Sequence, residues 1–436
     1  MKYASRLKLM ILMISLAGFD AAGYPLDGYP ETGIRRVEGD RLAKEGVIAG
    51  RKQPPGALLD TNQVDLRLLD HTDLDLPLPD PELTAELKQL LGGDTAGYSI
   101  AVLDISDPDN PRYAQYRGNH RQNIGSVGKL IVALGLFQAL ADVWPDTERR
   151  LVVLKETVVT ADEFSQKDHH KIGIFNVETR QMTRRTMQVG DQGSLFDFLD
   201  WTLSVSSNAA AAMVMREAML IRHYGEQYPP SEEEIQRFFR ETPAKVLTDL
   251  YGQTFFEPVS RNGLDRTQFR QGSFFTRRGK YKVNGGGGSY GTAEQLILYS
   301  LRMEQGRLVD EFSSRQIKRL LYLTERRIRY ASSPALRESA VYFKSGSLYS
   351  CRAEKGFTCR AYAGNVKNFM SSVTIVESPA VERKLHYVSA LVTNVLRKNS
   401  AVEHQTMGTR IHRMIEKTSR EAKVDPESLI PSAVPP

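Results

Sequence analysis

The sequence predicts a mixed α and β fold built around one sheet. Runs with strand character lie near residues 98–116 and again near 340–393, whereas the region between them has the pattern of helices and polar loops. Strands on both sides of a helical region indicate one sheet whose parts are distant in sequence. The length of 436 residues, with 41% apolar and 25% charged residues, is typical of an ordinary globular protein and allows two or three domains.

Composition argues against several classes of partner. The net charge of +6 is spread along the chain, with no basic block interleaved with aromatic residues, so we expect no nucleic acid partner. No cluster of cysteine and histidine has the spacing of metal ligands, and the glycine run at 285–288 lacks the Lys-Ser/Thr of a phosphate cradle. We therefore expect no metal and no cofactor, and we place His169 and His170 on the surface.

The N-terminus has the pattern of a bacterial signal peptide. Basic residues near the start precede an apolar run at 9–19, which is too short to span a bilayer. Phe19 stands where a lipid-carrying cysteine would follow the small residues of a lipobox. The pattern predicts that residues 1–22 are a signal peptide, that the protein is periplasmic or secreted, and that no stable membrane anchor remains after cleavage.

Residues 23–92 are predicted to form an extended N-terminal arm on the main domain. Prolines interrupt this stretch and acidic residues alternate with apolar ones, so we expect extended segments and short helices without a separate core. Residues 81–91 are the candidate for a first helix. At the other end, residues 419–436 are polar and end in prolines, which predicts a disordered tail.

The main domain is expected at residues 93–418, with elements assigned from periodicity and turn residues. Its strands are predicted at 98–103, 112–116, 340–347, 361–366 or nearby, and 385–393. Its helices are predicted from residue 126 to near 145 and at 195–203, 209–220, 292–305, 313–324 and 405–417. Residues 151–195 are polar and predicted to be irregular, and residues 221–290 are predicted to be a long mixed insertion.

Ser126 and Lys129 are candidates for a nucleophile and its base. On a helix, side chains three residues apart share one face about one turn apart. A neutral lysine amine can take the serine proton, and unpaired N–H groups at the helix N-terminus favour the oxyanion that forms on attack. The same spacing also occurs at Ser5 and Lys8, so the alternative for Ser126 and Lys129 is a helix N-cap and a solvated lysine.

Two further short patterns follow in the chain. Ser206 and Asn208 form a Ser-x-Asn on a predicted turn before an alanine-rich helix, and Lys344–Gly346 lie on a predicted strand. A second Ser-x-Asn occurs at Ser260 and Asn262, but it runs into a glycine-rich polar stretch and not into a helix. We therefore prefer the first, although helix capping is an alternative explanation for it.

Ser-x-x-Lys, then Ser-x-Asn, then Lys-Ser-Gly resembles the motif order of the superfamily of class A β-lactamases and penicillin-binding proteins. The resemblance covers about residues 97–417. It implies an α/β (α+β) fold of the β-lactamase/DD-peptidase type. That fold has a mainly antiparallel five-stranded sheet flanked by helices, plus an all-helical subdomain. Residues 93–418 would then be a serine hydrolase domain.

The resemblance also implies a role for each motif residue. Ser126 would attack an amide or lactam carbonyl and form an acyl-enzyme. Lys129 would be the general base or proton shuttle. Ser206 would pass a proton to the leaving nitrogen, and Asn208 would hold Lys129 or the substrate amide.

The substrate side of the implied site lies on the third motif. Lys344 and Ser345 would bind the substrate carboxylate, and Gly346 would let the substrate backbone approach the strand. The backbone N–H groups of Ser126 and Ser347 would form the oxyanion hole. Substrates of this superfamily end in a carboxylate, so the resemblance implies a β-lactam or the D-Ala-D-Ala end of a peptidoglycan stem peptide.

One departure from the class A pattern concerns deacylation. The Glu-x-x-Leu-Asn loop, whose glutamate activates the deacylating water, is absent because the dipeptide Leu-Asn occurs nowhere in the chain. Gln268 would stand in place of the glutamate, and Glu257 is the other candidate but lies too early. We expect acylation with slow deacylation. The alternative is a non-catalytic periplasmic protein of the same fold that binds peptidoglycan peptides.

Cys351 and Cys359 are the two cysteines of the chain. They are eight residues apart with Gly356 between them, which suits a strand–turn–strand. If the protein is exported, an oxidising compartment allows them to pair, so we expect a disulfide. Two unpaired thiols are the alternative.

Overall fold

The computed structural model describes residues 27–50, 53–93, 95–325 and 327–421. The predicted signal peptide lies outside the described residues, as does nearly all of the predicted tail. Within the described residues, the longer helices are α2 to α9 and α12 to α14. In chain order, the α-helices are α1 Tyr29–Thr32, α2 Arg35–Lys44, α3 Pro81–Gln89, α4 Lys129–Val143, α5 Thr147–Glu156, α6 Leu195–Leu203, α7 Asn208–Tyr224, α8 Glu232–Glu241, α9 Ala244–Phe255, α10 Glu257–Arg261, α11 Arg277–Lys282, α12 Ala293–Glu304, α13 Glu311–Tyr322 and α14 Ser400–Glu421.

A five-stranded sheet lies at the centre, in the strand order β10-β11-β12-β1-β2 with every neighbouring pair antiparallel. In chain order, the strands are β1 Tyr98–Asp104, β2 Arg112–Tyr116, β3 Gln122–Asn123, β4 Val158–Thr160, β5 Lys171–Asn176, β6 Gln181–Thr186, β7 Gln192–Ser194, β8 Arg270–Gln271, β9 Ser289–Gly291, β10 Ala340–Ser350, β11 Lys367–Ser378 and β12 Leu385–Asn394. β1 pairs with β12 far along the chain, so the predicted fold class of one mainly antiparallel sheet flanked by helices is confirmed.

The sheet is covered on both faces, because side chains alternate along each strand. Ile100 and Val102 of β1 face α3 and α14, where they join one apolar cluster. Ala101 and Leu103 face the helical layer on the other side and join the larger cluster. β10 is an edge strand of this sheet, and its free side adjoins the 3₁₀ turn that carries Ser126.

α4 is the buried core helix of the helical layer. The stretch Gly125–Val143 is long and apolar enough to cross a membrane, but 78% of it is buried inside the protein, as expected for a core helix. Small residues permit close packing around it. The alanine-rich start of α7 is buried against it, and a β-carbon on Gly135 would lie 2.5 Å from the carbonyl oxygen of Thr254 in α9.

The described part of the arm packs against the main domain through buried ion pairs. Arg36 of α2 makes a two-point contact with Asp200 of α6, at 2.6 and 2.8 Å, and both side chains are fully buried. Arg67 contacts Glu377 of β11 at 3.2 Å. A buried charge without its partner is costly, so each pair fixes where the arm lies on the domain.

One prediction about elements is wrong, and one strand is shifted. Residues 151–195 are not irregular, because they include the end of α5 and the short strands β4 to β7. β5 and β6 form a hairpin, and β4 pairs with β7 across the segment 161–191. Residues 361–366 are a loop, and the strand begins at Lys367. Asn365 holds that loop by bonding the backbone of Arg352 through both its side-chain oxygen and nitrogen.

The mixed insertion at 221–290 contains α8 to α11 and the strands β8 and β9. The two adjacent histidines differ in exposure. The side chain of His169 is 85% exposed, as predicted, but that of His170 is only 24% exposed because it turns inward to Asp168.

Candidate active site

Ser126 lies on a turn that glycine shapes. Gly125 has a φ of 52°, in the left-handed region that favours glycine. Gly125–Gly128 then form one 3₁₀ turn, and α4 begins at Lys129. The predicted helix from Ser126 is therefore a 3₁₀ turn followed by an α-helix. Since the apolar residues that follow are buried, the turn is held rigidly at the edge of the sheet.

Lys129 connects the first two motifs. Its Nζ lies 2.9 Å from Ser126 Oγ, 2.7 Å from Asn208 Oδ1 and 3.5 Å from Ser206 Oγ. The side chain is fully buried, and this burial lowers the pKa of Lys129 from its usual range to about 7. An amine with this pKa is neutral in a substantial fraction of molecules near pH 7 and can accept the proton of Ser126.

Ser206 lies between two lysines on a strained turn. Its φ of 62° is unusual for a residue other than glycine. Lys344 Nζ donates a hydrogen bond of 2.8 Å to Ser206 Oγ, which Lys129 Nζ also contacts. Burial lowers the pKa of Lys344 well below its usual range, and the nearby charges of Lys129 and Arg329 lower it further. Ser206 can therefore pass protons between two amines.

Ser345 and Ser347 of β10 both accept hydrogen bonds from Arg329, a residue that the sequence did not single out. Arg329 Nη1 donates to Ser345 Oγ at 2.8 Å, and Nη2 donates to Ser347 Oγ at 3.0 Å. Arg329 has a φ of 54°, and its guanidinium lies 5.1 Å from the ring centroid of Tyr362. Together with Lys344 it provides a cationic patch suited to a carboxylate. No motif marks this arginine, which begins a 3₁₀ turn fifteen residues before Lys344 and follows two other arginines in the sequence.

Gly346 is required by packing within the protein. A β-carbon at this position would lie 2.1 Å from the carbonyl oxygen of Ile124 and 2.5 Å from the backbone nitrogen of Ser126. The strand therefore touches the turn of Ser126 directly, which is a requirement for glycine that the sequence did not reveal. Its role in substrate approach stays a prediction.

The same close packing brings two backbone nitrogens to facing positions. A β-carbon on Gly125 would lie 3.1 Å from the nitrogen of Ser347, and the one on Gly346 would lie next to the nitrogen of Ser126. The N–H groups of Ser126 and Ser347 thus come from a turn and a strand that are in van der Waals contact. This is the arrangement that an oxyanion hole built from two backbone donors needs.

Asp168 holds the Ser-x-Asn turn and was also missed. Its Oδ2 accepts hydrogen bonds from Ser207 Oγ at 2.8 Å, from the backbone nitrogen of Asn208 at 2.7 Å and from that of Ala209 at 3.0 Å. His170 Nδ1 lies 2.6 Å from the other carboxylate oxygen. Asp168 is forty residues before Asn208 in a polar stretch, and no pattern in the sequence links them.

An aromatic ring, and no carboxylate, lies beside the amine of Lys129 in the part of the chain that the structure describes. The ring of Phe275 lies 4.2 Å from Lys129 Nζ, and no carboxylate among the described residues is within ion-pair distance of that amine. Gln268 follows the turn at Asp265 and hydrogen bonds with none of the motif residues. Glu257 is exposed at the start of α10.

Within the residues that the structure describes, two groups of side chains are close enough to hold a metal ion. Glu304, Glu377 and His386 are buried together, but Lys318 Nζ lies 2.7 Å from both carboxylates and Arg67 pairs with Glu377, so two cations already serve them. The second group is Asp168, His169 and His170, and one carboxylate oxygen of Asp168 already accepts a hydrogen bond from the N-terminus of α7. Neither arrangement favours a metal over the partners present.

Cys351 and Cys359 form a disulfide with a Cα–Cα distance of 6.0 Å, so the predicted pairing is confirmed. The disulfide closes the loop that follows β10. It lies a few residues beyond Ser347, at the end of the strand that carries the third motif.

Comparisons with known proteins give structural likeness alone. No family model matches the chain, and no curated protein matches it in sequence. Among solved structures, it is similar to a mutant of PBP-A in an acyl-enzyme complex with penicillin G, at 13% identity over 79% of this chain and 100% of that chain, with a TM-score of 0.48. It is also similar to a β-lactamase from Sphaerobacter thermophilus, at 12% identity over 79% and 97% of the two chains (TM-score 0.47). The TLA-3 extended-spectrum β-lactamase matches at 13% identity over 77% and 98%, again with a TM-score of 0.47.

With these identities and scores, the matches carry no weight in assigning a reaction. The three motifs, predicted in order from the sequence, meet around one nucleophile, and the sheet has the predicted strand number and direction. In motif order and in fold, the chain resembles the superfamily of serine β-lactamases and penicillin-binding proteins.

Proposed function

We propose that this protein is a serine acyl-transfer enzyme that forms an acyl-enzyme on Ser126. The observation that carries the proposal is the contact of 2.9 Å between Lys129 Nζ and Ser126 Oγ, made by a fully buried amine. Burial disfavours the charged amine, so a base is ready beside the hydroxyl near neutral pH.

The proposed steps use the residues of the three motifs. Lys129 removes the proton of Ser126 as its Oγ bonds to the carbonyl carbon of the substrate. The negative charge that forms on the carbonyl oxygen is bound by the N–H groups of Ser126 and Ser347. Ser206 then gives its proton to the leaving nitrogen and is reprotonated through Lys129 or Lys344, both of which it contacts.

The proposed substrates are amides or lactams with a nearby carboxylate. Arg329 donates to the hydroxyl of Ser345, and Lys344 Nζ donates to the backbone carbonyl oxygen of the same residue. A carboxylate there would meet a guanidinium, an amine and a hydroxyl donor. A β-lactam and the D-Ala-D-Ala end of a peptidoglycan stem peptide both have this chemistry. Such substrates lie outside the cytoplasm, which agrees with the proposed export through residues 1–22.

We further propose that the acyl-enzyme is long-lived. The aromatic ring of Phe275 lies against the amine of Lys129. Gln268 cannot act as a general base in place of a carboxylate. The second candidate function is a binding protein for peptidoglycan peptides that uses the same cleft without acylation. The buried amine beside Ser126 favours the enzyme, since a binding protein has no need of a neutral lysine at that point.

A fluorescent penicillin tests this proposal. Wild-type protein should become covalently labelled, and Ser126→Ala should not, because the attacking oxygen is gone. Ser206→Ala should slow labelling, whereas Ser260→Ala, which alters the exposed serine of the second Ser-x-Asn, should leave it unchanged. Reversible binding without labelling of the wild type would favour the binding protein instead.

A further inference from the structure

Asp168 stands at the junction of three groups in the candidate site. It accepts hydrogen bonds from the N-terminus of α7 and from Ser207, it contacts His170, and its side chain is only 1% exposed. Asn208, whose backbone nitrogen it binds, is the residue whose side chain holds Lys129. The proposed steps of acyl transfer make no use of Asp168.

The site has an imbalance of charge that Asp168 relieves. Lys129 and Lys344 are both fully or almost fully buried, both contact Ser206, and neither has a carboxylate within ion-pair distance in the part of the chain that the structure describes. Arg329 adds further positive charge on the side of Lys344. The negative charge of Asp168 stabilises the charged form of Lys129 and so opposes the effect of burial on the pKa of that amine.

The carboxylate of Asp168 remains ionised in this position. Burial alone would raise the pKa of Asp168. The hydrogen bond and charge of His170 and the hydrogen-bond donors of Ser207 and Ala209 outweigh burial, and they hold this pKa well below its usual range. The titratable and charged groups that face this region are Asp168, Lys129, Lys344 and Arg329, together with His170 and His169, whose Nδ1 atoms lie 2.6 and 3.9 Å from the Asp168 carboxylate. Burial lowers the pKa of His170.

We propose that Asp168, held in place by His170, is a positioning residue that sets both the geometry of the Ser206–Asn208 turn and the charge of Lys129. The proposal rests on the proposed acyl transfer for its kinetic consequence. The proposed role of Asp168 goes beyond ordinary helix capping, of which Asp146 is an example. Asp146 caps α5 through two backbone nitrogens at 3.1 and 3.2 Å, in an exposed position.

The test compares Asp168→Asn with the matched control Asp146→Asn in the rate of acylation by a penicillin across pH. Asparagine keeps an oxygen acceptor but removes the charge. Without the negative charge, protonated Lys129 is less stable, so the acidic limb of the profile should move to lower pH by about half a unit or more. The maximal rate should fall by roughly tenfold as the turn loosens, and Asp146→Asn should change neither.

Two variants separate charge from geometry. Asp168→Glu keeps the charge, so its acidic limb should stay at the wild-type pH while its maximal rate falls. His170→Ala removes the contact that orients the carboxylate, so it should also lower the maximal rate without moving the limb downward. If Asp168→Asn does not fold, an unchanged maximal rate in folded His170→Ala contradicts the proposal. If it folds, an unmoved acidic limb contradicts it.

A measurement on the free protein keeps this inference distinct from the proposed function. The Lys129 amine can be titrated by NMR, with its signal assigned by its absence from Lys129→Ala. Asp168→Asn should lower the titration midpoint of that amine, whether or not penicillin acylates the protein. A wild type that is never acylated, with this midpoint shift present, would refute the proposed function and leave the role of Asp168 on Lys129 supported. An unshifted midpoint would refute that role.

Discussion

Gly346 of β10 packs so closely on Ile124 that a β-carbon on the glycine would lie 2.1 Å from the isoleucine carbonyl oxygen. Real β-carbons do not approach oxygen this closely, so any side chain at 346 must push the strand away from the turn of Ser126. The glycine thus fixes the distance between the two backbone donors of the proposed oxyanion hole.

Gly346→Ala should destabilise the protein and abolish acylation. Overpacking of this kind costs about 1–3 kcal/mol of unfolding free energy, and displacement of the strand should reduce the acylation rate by on the order of 10²-fold or more. Urea unfolding and penicillin labelling measure the two effects. Gly93→Ala is the control, since nothing lies within 4 Å of its β-carbon. Normal acylation by Gly346→Ala would contradict the packing argument.

The acylation rate should depend on the ionisation of Lys129. Burial lowers its pKa to about 7, so the neutral amine becomes the major form above that pH. The rate constant for acylation should rise with pH up to about pH 7 and then level off. Lys129→Ala should lose this dependence and react about 10²–10⁴-fold more slowly, because no general base remains. A wild-type profile that is flat from pH 5 to pH 9 would show that another group is the base.

Arg329 should distinguish substrates by their carboxylate. Arg329→Ala removes the cation that bridges Ser345 and Ser347, and should weaken acylation by a penicillin about 10–100-fold, the range for a hydrogen bond to a charged group. The rate of acylation by a penicillin methyl ester, which has no carboxylate, should fall much less in this variant. Equal losses with the two compounds would assign Arg329 a structural role.

The disulfide should stabilise the fold modestly. A loop closed by Cys351 and Cys359, eight residues apart, contributes roughly 2–3 kcal/mol in the chain-entropy model. The double variant Cys351→Ser, Cys359→Ser should therefore unfold at lower urea concentration, with penicillin labelling retained. Titration of two free thiols in the folded wild-type protein would contradict the pairing.

The sequence was sufficient for the fold class and for the motif residues, because both depend on local patterns. Alternation and helical periodicity located the main strands, and short motifs located Ser126, Lys129 and Lys344. The structure added what depends on contacts between distant segments. Arg329 and Asp168 each bind a motif from a loop with no signature, and the polar hairpins at 151–195 pair without an apolar pattern.

Deacylation shows the same limit of sequence patterns. The likeness of residues 264–268 to a class A loop pointed to Gln268, but the residue that faces Lys129 is Phe275, which no motif marks. A Gln268→Glu variant would speed deacylation only if residue 268 reaches the acyl group. No hydrogen bond of Gln268 with the motif residues supports this, so the prediction remains untested.

Mass spectrometry of the protein after exposure to a penicillin tests the central claim most directly. The account predicts that intact wild-type protein gains the mass of one whole penicillin, that peptide mapping places it on Ser126, and that it persists for minutes or longer. Ser126→Ala should gain nothing. An adduct on another residue, or no adduct on folded wild-type protein at saturating penicillin, would contradict the account.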